Sequence, residues 1–151
     1  MKYKSYEHMN CSLAQTLEVI GERWTLLILR DAMFGVKKFS KFQEGLGIAR
    51  NILSTRLNRL VAEGIFEKVT KVEGGHPEYH LTEKGYALQP VLLSMTHWGD
   101  EYKPNPNGRR LNFLDRETEQ PIRRMAPTSQ DGRSLKFHEI ISVPGPGLLN
   151  S

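Results

Sequence analysis

Cysteine, long apolar runs and catalytic motifs are scarce or absent in this chain of 151 residues. The single cysteine, Cys11, excludes a disulfide within the chain and fits a reducing compartment. No segment approaches the roughly 18 consecutive apolar residues of a membrane-spanning helix, and the first ten residues have no apolar core typical of a secretion signal. We therefore expect a cytoplasmic protein that does not engage a membrane.

Signatures of catalysis and of metal binding are also missing from the sequence. It has no glycine-rich phosphate loop, no nucleophile elbow and no HExxH motif. The histidines are scattered without the spacing of metal ligands, and a lone histidine is usually structural or solvated. These absences argue against an enzyme and predict neither a cofactor nor a metal.

Positive charge, by contrast, is concentrated in one stretch. Between Lys37 and Lys71, eight Lys or Arg residues stand against three acids, a balance of +5. The whole chain has a net charge of only +4, so the remainder sums to −1. Charge focused on one structural unit is what neutralising the phosphates of a nucleic acid requires.

Two helices are predicted ahead of this basic stretch. The first runs from Ser12 to Ile20 with apolar residues at helical spacing; Ser12 is placed to cap its start and Gly21 to end it. From Glu22 the residues are apolar on most sides until Gly35, which predicts a second helix that the other elements bury.

The basic stretch begins with a third predicted helix that is short and amphipathic. Phe39, Phe42 and Leu46 share one of its faces. Ser40 could cap its start, and the glycines from Gly45 to Gly47 would end it. A turn is therefore expected directly after this helix.

A longer helix and a hairpin complete the basic stretch. From Asn51 to Glu63, leucines occupy one stripe and polar residues look outward. Two strand-like segments, Ile65–Val72 and Glu78–Leu81, flank a turn that contains two adjacent glycines, which predicts a hairpin. This order of elements is that of a winged helix-turn-helix, with the hairpin as the wing.

A last helix and a tail follow the wing. Thr82 caps a helix predicted to run to Tyr102 with a kink at Pro90. A polar linker leads from there into a tail without helical period, in which short apolar pieces predict a few strands: Leu111–Leu114, Leu135–Phe137 and Ile140–Val143. The expected fold class is α+β, with a winged helix-turn-helix domain over residues 1–103 that ends in a long dimerisation helix, and a linker and small β-rich appendage over residues 104–151.

Several motifs occur in the order found in one family of bacterial regulators. They are Cys11, IGERWTLLILRD from Ile20, FSKF from Phe39, LSTRLNRLVAEG from Leu53, the sequence Pro77-Glu78-Tyr79, LTEKG from Leu81, and Trp98-Gly99. On these motifs the chain resembles the HxlR-type transcriptional regulators, winged-helix proteins related in architecture to the MarR group. The resemblance implies a homodimer whose two recognition helices enter successive major grooves, usually as a repressor and sometimes as an activator.

Three features depart from the pattern of that family. Ala49 stands where a serine is common, so Asn51 becomes the candidate cap of the recognition helix, and Ser12 stands where proline usually follows the cysteine. The tail is similar to the C-terminal extension of larger members, which often carries paired cysteines in a zinc-ribbon-like arrangement. Here residues 111–147 contain no cysteine and one histidine, His138, which predicts an appendage without zinc ligands.

The residues predicted to contact DNA fall into two sets. Outward side chains of the recognition helix can reach base edges, while residues of the preceding helix and the wing would hold phosphates. The predicted contacts are Lys38, Ser40, Lys41, Arg50, Asn51, Ser54, Thr55, Asn58, Arg59, Lys68, Lys71 and His76. Arg56 is left open between a phosphate and a carboxylate of the same chain. The alternative for the whole domain is a winged-helix module that binds proteins without sequence-specific DNA binding.

Two further predictions concern assembly and regulation. The first helix and the last carry apolar residues beyond what so small a core can bury, which predicts a homodimer interface formed by Leu13, Leu17, Leu88, Leu92, Met95 and Trp98. The resemblance makes Cys11 a candidate sensor of electrophiles or oxidants, a role that needs an accessible thiolate. The competing interpretation is a small, inert thiol at the dimer interface. The predicted partners are thus double-stranded DNA, a second copy and a small-molecule or electrophile effector.

Overall fold

The computed structural model of the protein describes residues 5–149. Residues 1–4 and 150–151 of the two predicted domains lie outside this range. In chain order, its helices and strands are α1 (Ser12–Ile20), α2 (Thr25–Met33), α3 (Phe39–Leu46), α4 (Arg50–Ala62), β1 (Phe66–Val69), β2 (Glu78–Leu81), α5 (Glu83–Tyr86), α6 (Gln89–Tyr102) and α7 (Pro146–Leu149). Within residues 5–149, no helix combines the length and the apolar character needed to cross a bilayer.

The described chain forms two compact units, residues 5–89 with 146–149 and residues 90–145. This division differs from the predicted boundary between residues 103 and 104, because α6 packs with the segment that follows it. The His97 ring lies edge-on to Phe113, and Asp100 lies 3.5 Å from Nη1 of Arg110. Helix α6 therefore belongs to the second unit and not to the helix-turn-helix unit.

The core of the first unit is built from one face of each helix and the inner side of the hairpin. Its fully buried large side chains are Ile28 and Leu29 of α2, Phe42 of α3, Leu53, Leu57 and Leu60 of α4, and Phe66 of β1. The three leucines recur at a spacing of three or four residues, which places them on one stripe of α4. The predicted packing face of this helix is therefore confirmed.

Helix α1 has the predicted bounds, but its cap residue and the start of α2 differ from prediction. Cys11, not Ser12, is the N-cap residue of α1, and it makes no side-chain capping bond. Helix α2 begins at Thr25 instead of Glu22, because Trp24 adopts a left-handed conformation with φ of 79° that a helix cannot include. Helix α2 is also buried on one side only, since Leu27 is exposed.

The predicted side-chain caps of α3 and α4 are wrong. Lys38 precedes α3 and Ala49 precedes α4, and neither makes a side-chain capping bond. Ser40 lies inside the first turn of α3, and Asn51 lies inside the first turn of α4. The first amides of both helices are therefore left without a side-chain acceptor. Gly47 ends α3 as predicted, with a φ of 61° that favours glycine.

The wing is a two-stranded antiparallel hairpin in which Phe66 pairs with Leu81 and Val69 with Glu78. Strand β2 has the predicted bounds, whereas β1 ends at Val69, three residues before the predicted end. The backbone amide of Gly75 donates to the carbonyl of Val72 (2.9 Å) within the connecting turn. Because Val72 takes part in this turn, the last three residues of the predicted first strand do not pair with β2.

The predicted last helix is divided in two. The Thr82 hydroxyl accepts from the amide of Gly85 (3.1 Å), which confirms the predicted cap. Helix α5 ends at Tyr86 and α6 begins at Gln89, so Pro90 lies in the first turn of a new helix. Proline is tolerated at that place because the amide it lacks would have no helical acceptor there.

The second unit contains α6 and little regular structure after it. The predicted strands of the appendage are reduced, within residues 104–149, to isolated bridges between Leu114 and Pro121 and between Thr128 and Ser134, with a 3-10 turn at Phe137–Glu139. The apolar piece from Ile140 to Val143 is exposed. A strand needs a neighbour to pair with, and this piece has none within the described chain.

Candidate nucleic-acid interface

A groove of about 730 Å³ lies between α3, α4 and the wing. Eight of the twelve predicted DNA contacts line it, namely Lys38, Ser40, Arg50, Ser54, Asn58, Lys68, Lys71 and His76. The fold thus brings together residues that are up to 38 positions apart in the sequence, from Lys38 to His76. The groove also includes Phe39, Gln43, Glu78 and Tyr79, which are not among the predicted contacts.

Helix α4 contributes Arg50, Ser54 and Asn58 to the floor of the groove. These residues are four apart, so they share one helical face, and the buried leucines occupy the neighbouring stripe that packs on the core. The guanidinium carbon of Arg50 lies 5.7 Å from the centre of the Phe39 ring. This cation–π contact orients a side chain at the exposed start of α4 toward α3.

The wing is joined to the recognition helix by a side-chain hydrogen bond. Lys68 Nζ donates to the amide oxygen of Asn58 (3.0 Å) and lies 5.7 Å from the centre of the Tyr79 ring. The Tyr79 ring is in turn packed edge-on against Phe66 of the core. A cation of the wing is therefore held at a defined place beside α4, where it is exposed to solvent.

An acid also lies in this groove. One oxygen of Glu78 is 2.8 Å from Nζ of Lys71 and 3.0 Å from Nε2 of His80. The hydrogen bond from Lys71, followed by that from His80, lowers the pKa of Glu78 to about 2. Glu78 is therefore ionised at neutral pH and offsets part of the positive charge of the wing.

Three predicted contacts lie on α3 and α4 outside the groove lining. Lys41 pairs with Glu44 (2.7 Å) on the exposed side of α3, and this hydrogen bond raises the pKa of Lys41. Asn51 and Thr55 are exposed on α4, and the Thr55 hydroxyl donates to the carbonyl of Asn51 (2.9 Å). Both α4 side chains remain open to a partner that approaches the helix from solvent.

Two arginines of α4 face α1 and the segment between α1 and α2 instead. Arg59 Nη2 lies 3.6 Å from a carboxylate oxygen of Glu18 on α1. Arg56 Nη1 lies 2.5 Å from Glu22, and its Nε donates to the carbonyl of Arg23 (3.3 Å). In the free protein, Arg56 thus pairs with a carboxylate, one of the two partners left open for it, and Arg59 lies outside the groove lining.

Cys11 is exposed and is the N-cap residue of α1. The backbone amide of Gln15 donates to the carbonyl of Cys11 (3.0 Å), so the helix begins directly after Cys11.

Within residues 5–149, no group of three His, Cys, Asp or Glu side chains is placed to hold a metal ion.

The residues predicted to form the dimer interface differ in exposure. Leu13 and Leu17 of α1 and Met95 and Trp98 of α6 are exposed, whereas Leu88 and Leu92 are half-buried. Val91 and Tyr102 are exposed as well and extend the stripe on α6, a continuation that their helical spacing from Met95 and Trp98 could have indicated.

Comparison with known proteins gives a family match and relatives along most of the chain. The family model of the HxlR-like helix-turn-helix matches residues 19–107. A protein of Mycobacterium tuberculosis, named as an uncharacterized HTH-type transcriptional regulator, is 37% identical over 137 residues, which cover 90% of this chain and 87% of the relative.

Solved structures give the same result. The crystal structure of PA1607, named as a candidate transcription factor, is 37% identical with a TM-score of 0.86 and covers 94% of this chain and 100% of that one. The quinone-bound YodB of Bacillus subtilis is 34% identical with a TM-score of 0.53, covering 60% of this chain and 98% of that one. The YodB structure thus matches a smaller share of this chain than the PA1607 structure does.

Proposed function

Because the chain belongs to the HxlR family of helix-turn-helix transcriptional regulators, we propose that it represses transcription in the cytoplasm by binding a specific operator through the groove between α3, α4 and the wing. The observation that carries this proposal is the convergence of Lys38, Arg50 and Lys68 on one groove beside the polar face of α4. Cations would hold phosphates, while Ser54 and Asn58 would reach base edges in the major groove.

The structure offers a matched pair of arginines to test this interface. Arg50→Ala removes a cation that lines the groove. Arg59→Ala removes a cation of the same helix, but one whose side chain faces Glu18. We would select binding sequences from a randomised duplex pool with wild-type protein and with each variant, over a series of salt concentrations. Arg50→Ala should weaken binding to every sequence and should reduce the salt slope by about 0.9 per protomer, the value for one lost phosphate contact. Arg59→Ala should retain the selected sequence.

The selection separates the regulator from the alternative module. A pseudo-palindrome with half-sites about 10 base pairs apart, or a multiple of that spacing, would identify the operator of a dimer. Equal losses of DNA affinity in Arg50→Ala and Arg59→Ala would contradict the proposal that the groove is the DNA interface. Absence of any salt-dependent binding to duplex DNA would favour a winged-helix module that binds proteins.

We also propose that the functional form is a homodimer and that α6 contributes to its interface. Val91, Met95, Trp98 and Tyr102 are exposed along one side of this helix, and the Trp98 and Tyr102 rings lie 5.2 Å apart. A row of apolar and aromatic side chains on a regular element is typical of an interface. Leu13 and Leu17 of α1 offer a second exposed apolar pair.

A charge introduced into this stripe tests the dimer. Met95→Glu should give a monomer in sedimentation or light scattering, because Met95 is 52% exposed and its replacement does not disturb a core. Gln89→Glu is the matched control, since Gln89 is exposed on the same helix and, two residues before Val91, lies on the side away from the stripe. A dimer of unchanged strength in the Met95 variant would exclude α6 from the interface.

Cys11 supports a second proposal, that electrophiles release the protein from DNA. Its thiol is exposed, and the related YodB has been solved with a quinone bound. Addition of the thiolate to a quinone ring carbon would form a carbon–sulfur bond and leave a hydroquinone adduct. Because the chain has one cysteine, the intact mass after treatment with a benzoquinone counts the adduct on Cys11 directly.

The test compares DNA release by wild-type protein and by Cys11→Ser after the same treatment. Wild-type protein should gain the mass of one quinone and lose its operator, whereas Cys11→Ser should gain no mass and stay bound. Normal release by Cys11→Ser would end the sensor proposal while leaving DNA binding intact.

A further inference from the structure

The groove proposed to bind DNA contains an acid that would oppose a phosphate. Among the described residues that line it, Glu78 is the one carboxylate, beside the cations Lys38, Arg50, Lys68 and Lys71. Its oxygen lies 2.8 Å from Lys71 Nζ. A negative group in such a place lowers the electrostatic attraction of the groove for the phosphates of DNA.

The backbone fixes Glu78 independently of its ion pairs. Strand β2 pairs with β1 on one side, where Glu78 stands opposite Val69. On its other side, Glu78 forms a bridge with Lys38, and the amide of Tyr79 donates to the carbonyl of Lys37 (2.8 Å). The backbone of Glu78 therefore stays at the groove whether or not Lys71 pairs with the carboxylate.

The side chain of Lys71, in contrast, is free to move. It is 63% exposed, whereas the Glu78 side chain is 13% exposed. A long, exposed lysine exchanges partners at little cost, because water and salt screen its charge and holding it in one geometry costs side-chain entropy. A DNA phosphate near the wing would thus compete with Glu78 for the same ammonium group.

We infer that Glu78 is an internal competitor that occupies Lys71 in the free protein and limits the affinity of the wing for the DNA backbone. This inference rests on the proposed DNA-binding function and adds a residue that sets how tightly the protein holds DNA of any sequence. Each phosphate that binds Lys71 must first displace the carboxylate. His80, which lies 3.0 Å from the same oxygen, keeps a partner for Glu78 when Lys71 leaves.

The test measures binding to a duplex of random sequence by fluorescence anisotropy between 50 and 200 mM salt. Glu78→Gln should bind more tightly than wild type at 50 mM, and its salt slope should be steeper by about 0.9 for each wing engaged, the value for one additional phosphate. The ratio of the variant's affinity to the wild-type affinity should accordingly fall about 3.5-fold per wing when the salt concentration rises fourfold, from 50 to 200 mM. Circular dichroism confirms that the variant is folded.

Two controls separate release of Lys71 from a general change of charge. Glu73→Gln makes the same charge change in the same hairpin, at an exposed residue with no ion pair in the described chain, and it should give the smaller gain. Lys71→Gln should weaken binding alone, because it leaves the charge of Glu78 uncompensated by Lys71. It should cancel the gain when combined with Glu78→Gln, so the double-mutant cycle isolates the pair.

The possible results lead to different conclusions. Weaker binding by a folded Glu78→Gln protein, or a gain equal to that of Glu73→Gln, would overturn the inference, since Glu78 would then only brace the wing or act through total charge. Failure of wild-type protein to bind any duplex at 50 mM salt would instead refute the proposed function, and the inference with it.

Discussion

A row of aromatic rings beneath the groove determines how firmly the wing is attached to α3. Phe66 of β1 is 1% exposed, and its ring meets Phe42 of α3 and Tyr79 of β2 edge-on at centroid distances of 6.3 Å each. Phe66→Leu keeps an apolar side chain and removes both ring contacts, each worth about 0.5–1.5 kcal/mol. With about 1 kcal/mol more for lost burial, we expect a destabilisation of about 2–4 kcal/mol.

Urea unfolding followed by circular dichroism measures this loss. The midpoint should fall while the slope m is unchanged, because the surface exposed on unfolding stays nearly the same. Phe34→Leu is the matched control, since Phe34 is 57% exposed and surface changes usually stay within about 0.5 kcal/mol. A Phe66→Leu protein no less stable than Phe34→Leu would refute the importance of the ring contacts.

Three further perturbations have defined expectations. Arg56→Met should lower the urea midpoint by the equivalent of about 1–2 kcal/mol, because it leaves the partly buried Glu22 without its partner; an unchanged midpoint would show that the pair contributes nothing. The folded-state pKa of Glu78 is depressed to about 2, from an ordinary value of 4.5. Its contribution to stability is therefore fully present above about pH 4.5 and is lost as the pH falls toward 2. Glu78→Gln should flatten that part of the profile of Tm against pH. Gly85→Ala would place a Cβ 2.5 Å from the carbonyl oxygen of Ile65. The variant should have a lower Tm in calorimetry, equivalent to a loss of about 1–3 kcal/mol of stability. An unchanged Tm would show that the backbone accommodates the added Cβ.

Periodicity predicted the elements around the groove well, because their patterns are set by local burial. The bounds of α1 and β2, the leucine stripe of α4 and the Thr82 cap are all confirmed. These features depend on neighbours within one or two turns of the chain. The helix-turn-helix and its wing were therefore accessible from the sequence.

Features that depend on partners far along the chain were not accessible in the same way. Arg59 has the spacing of an outward residue, but Glu18, 41 positions earlier, draws it to α1. Glu78 belongs to a motif that the family resemblance included, yet its ion pair with Lys71 depends on how the turn of the hairpin folds back. The strands predicted in the appendage have apolar sequences but lack pairing partners within the described chain.

The charge counted along the sequence and the charge offered by the folded surface are different quantities. Of the eight basic residues between Lys37 and Lys71, four pair with carboxylates, namely Lys41, Arg56, Arg59 and Lys71. Three of these carboxylates, on Glu18, Glu22 and Glu78, lie outside that stretch, and including them lowers its balance from +5 to +2. The concentration of charge points to the surface that we propose to bind DNA, but it overstates the positive charge of that surface.

This difference predicts the salt dependence of DNA binding. Within the described chain, Lys38, Arg50 and Lys68 line the groove without an ion pair, so each protomer should release about three counterions and have a salt slope near −2.7. If all eight basic residues of the stretch neutralised phosphates, the slope would be near −7.2. A wild-type slope per protomer close to the larger value would mean that DNA displaces the internal carboxylates, and the pairing observed in the free protein would then not limit binding.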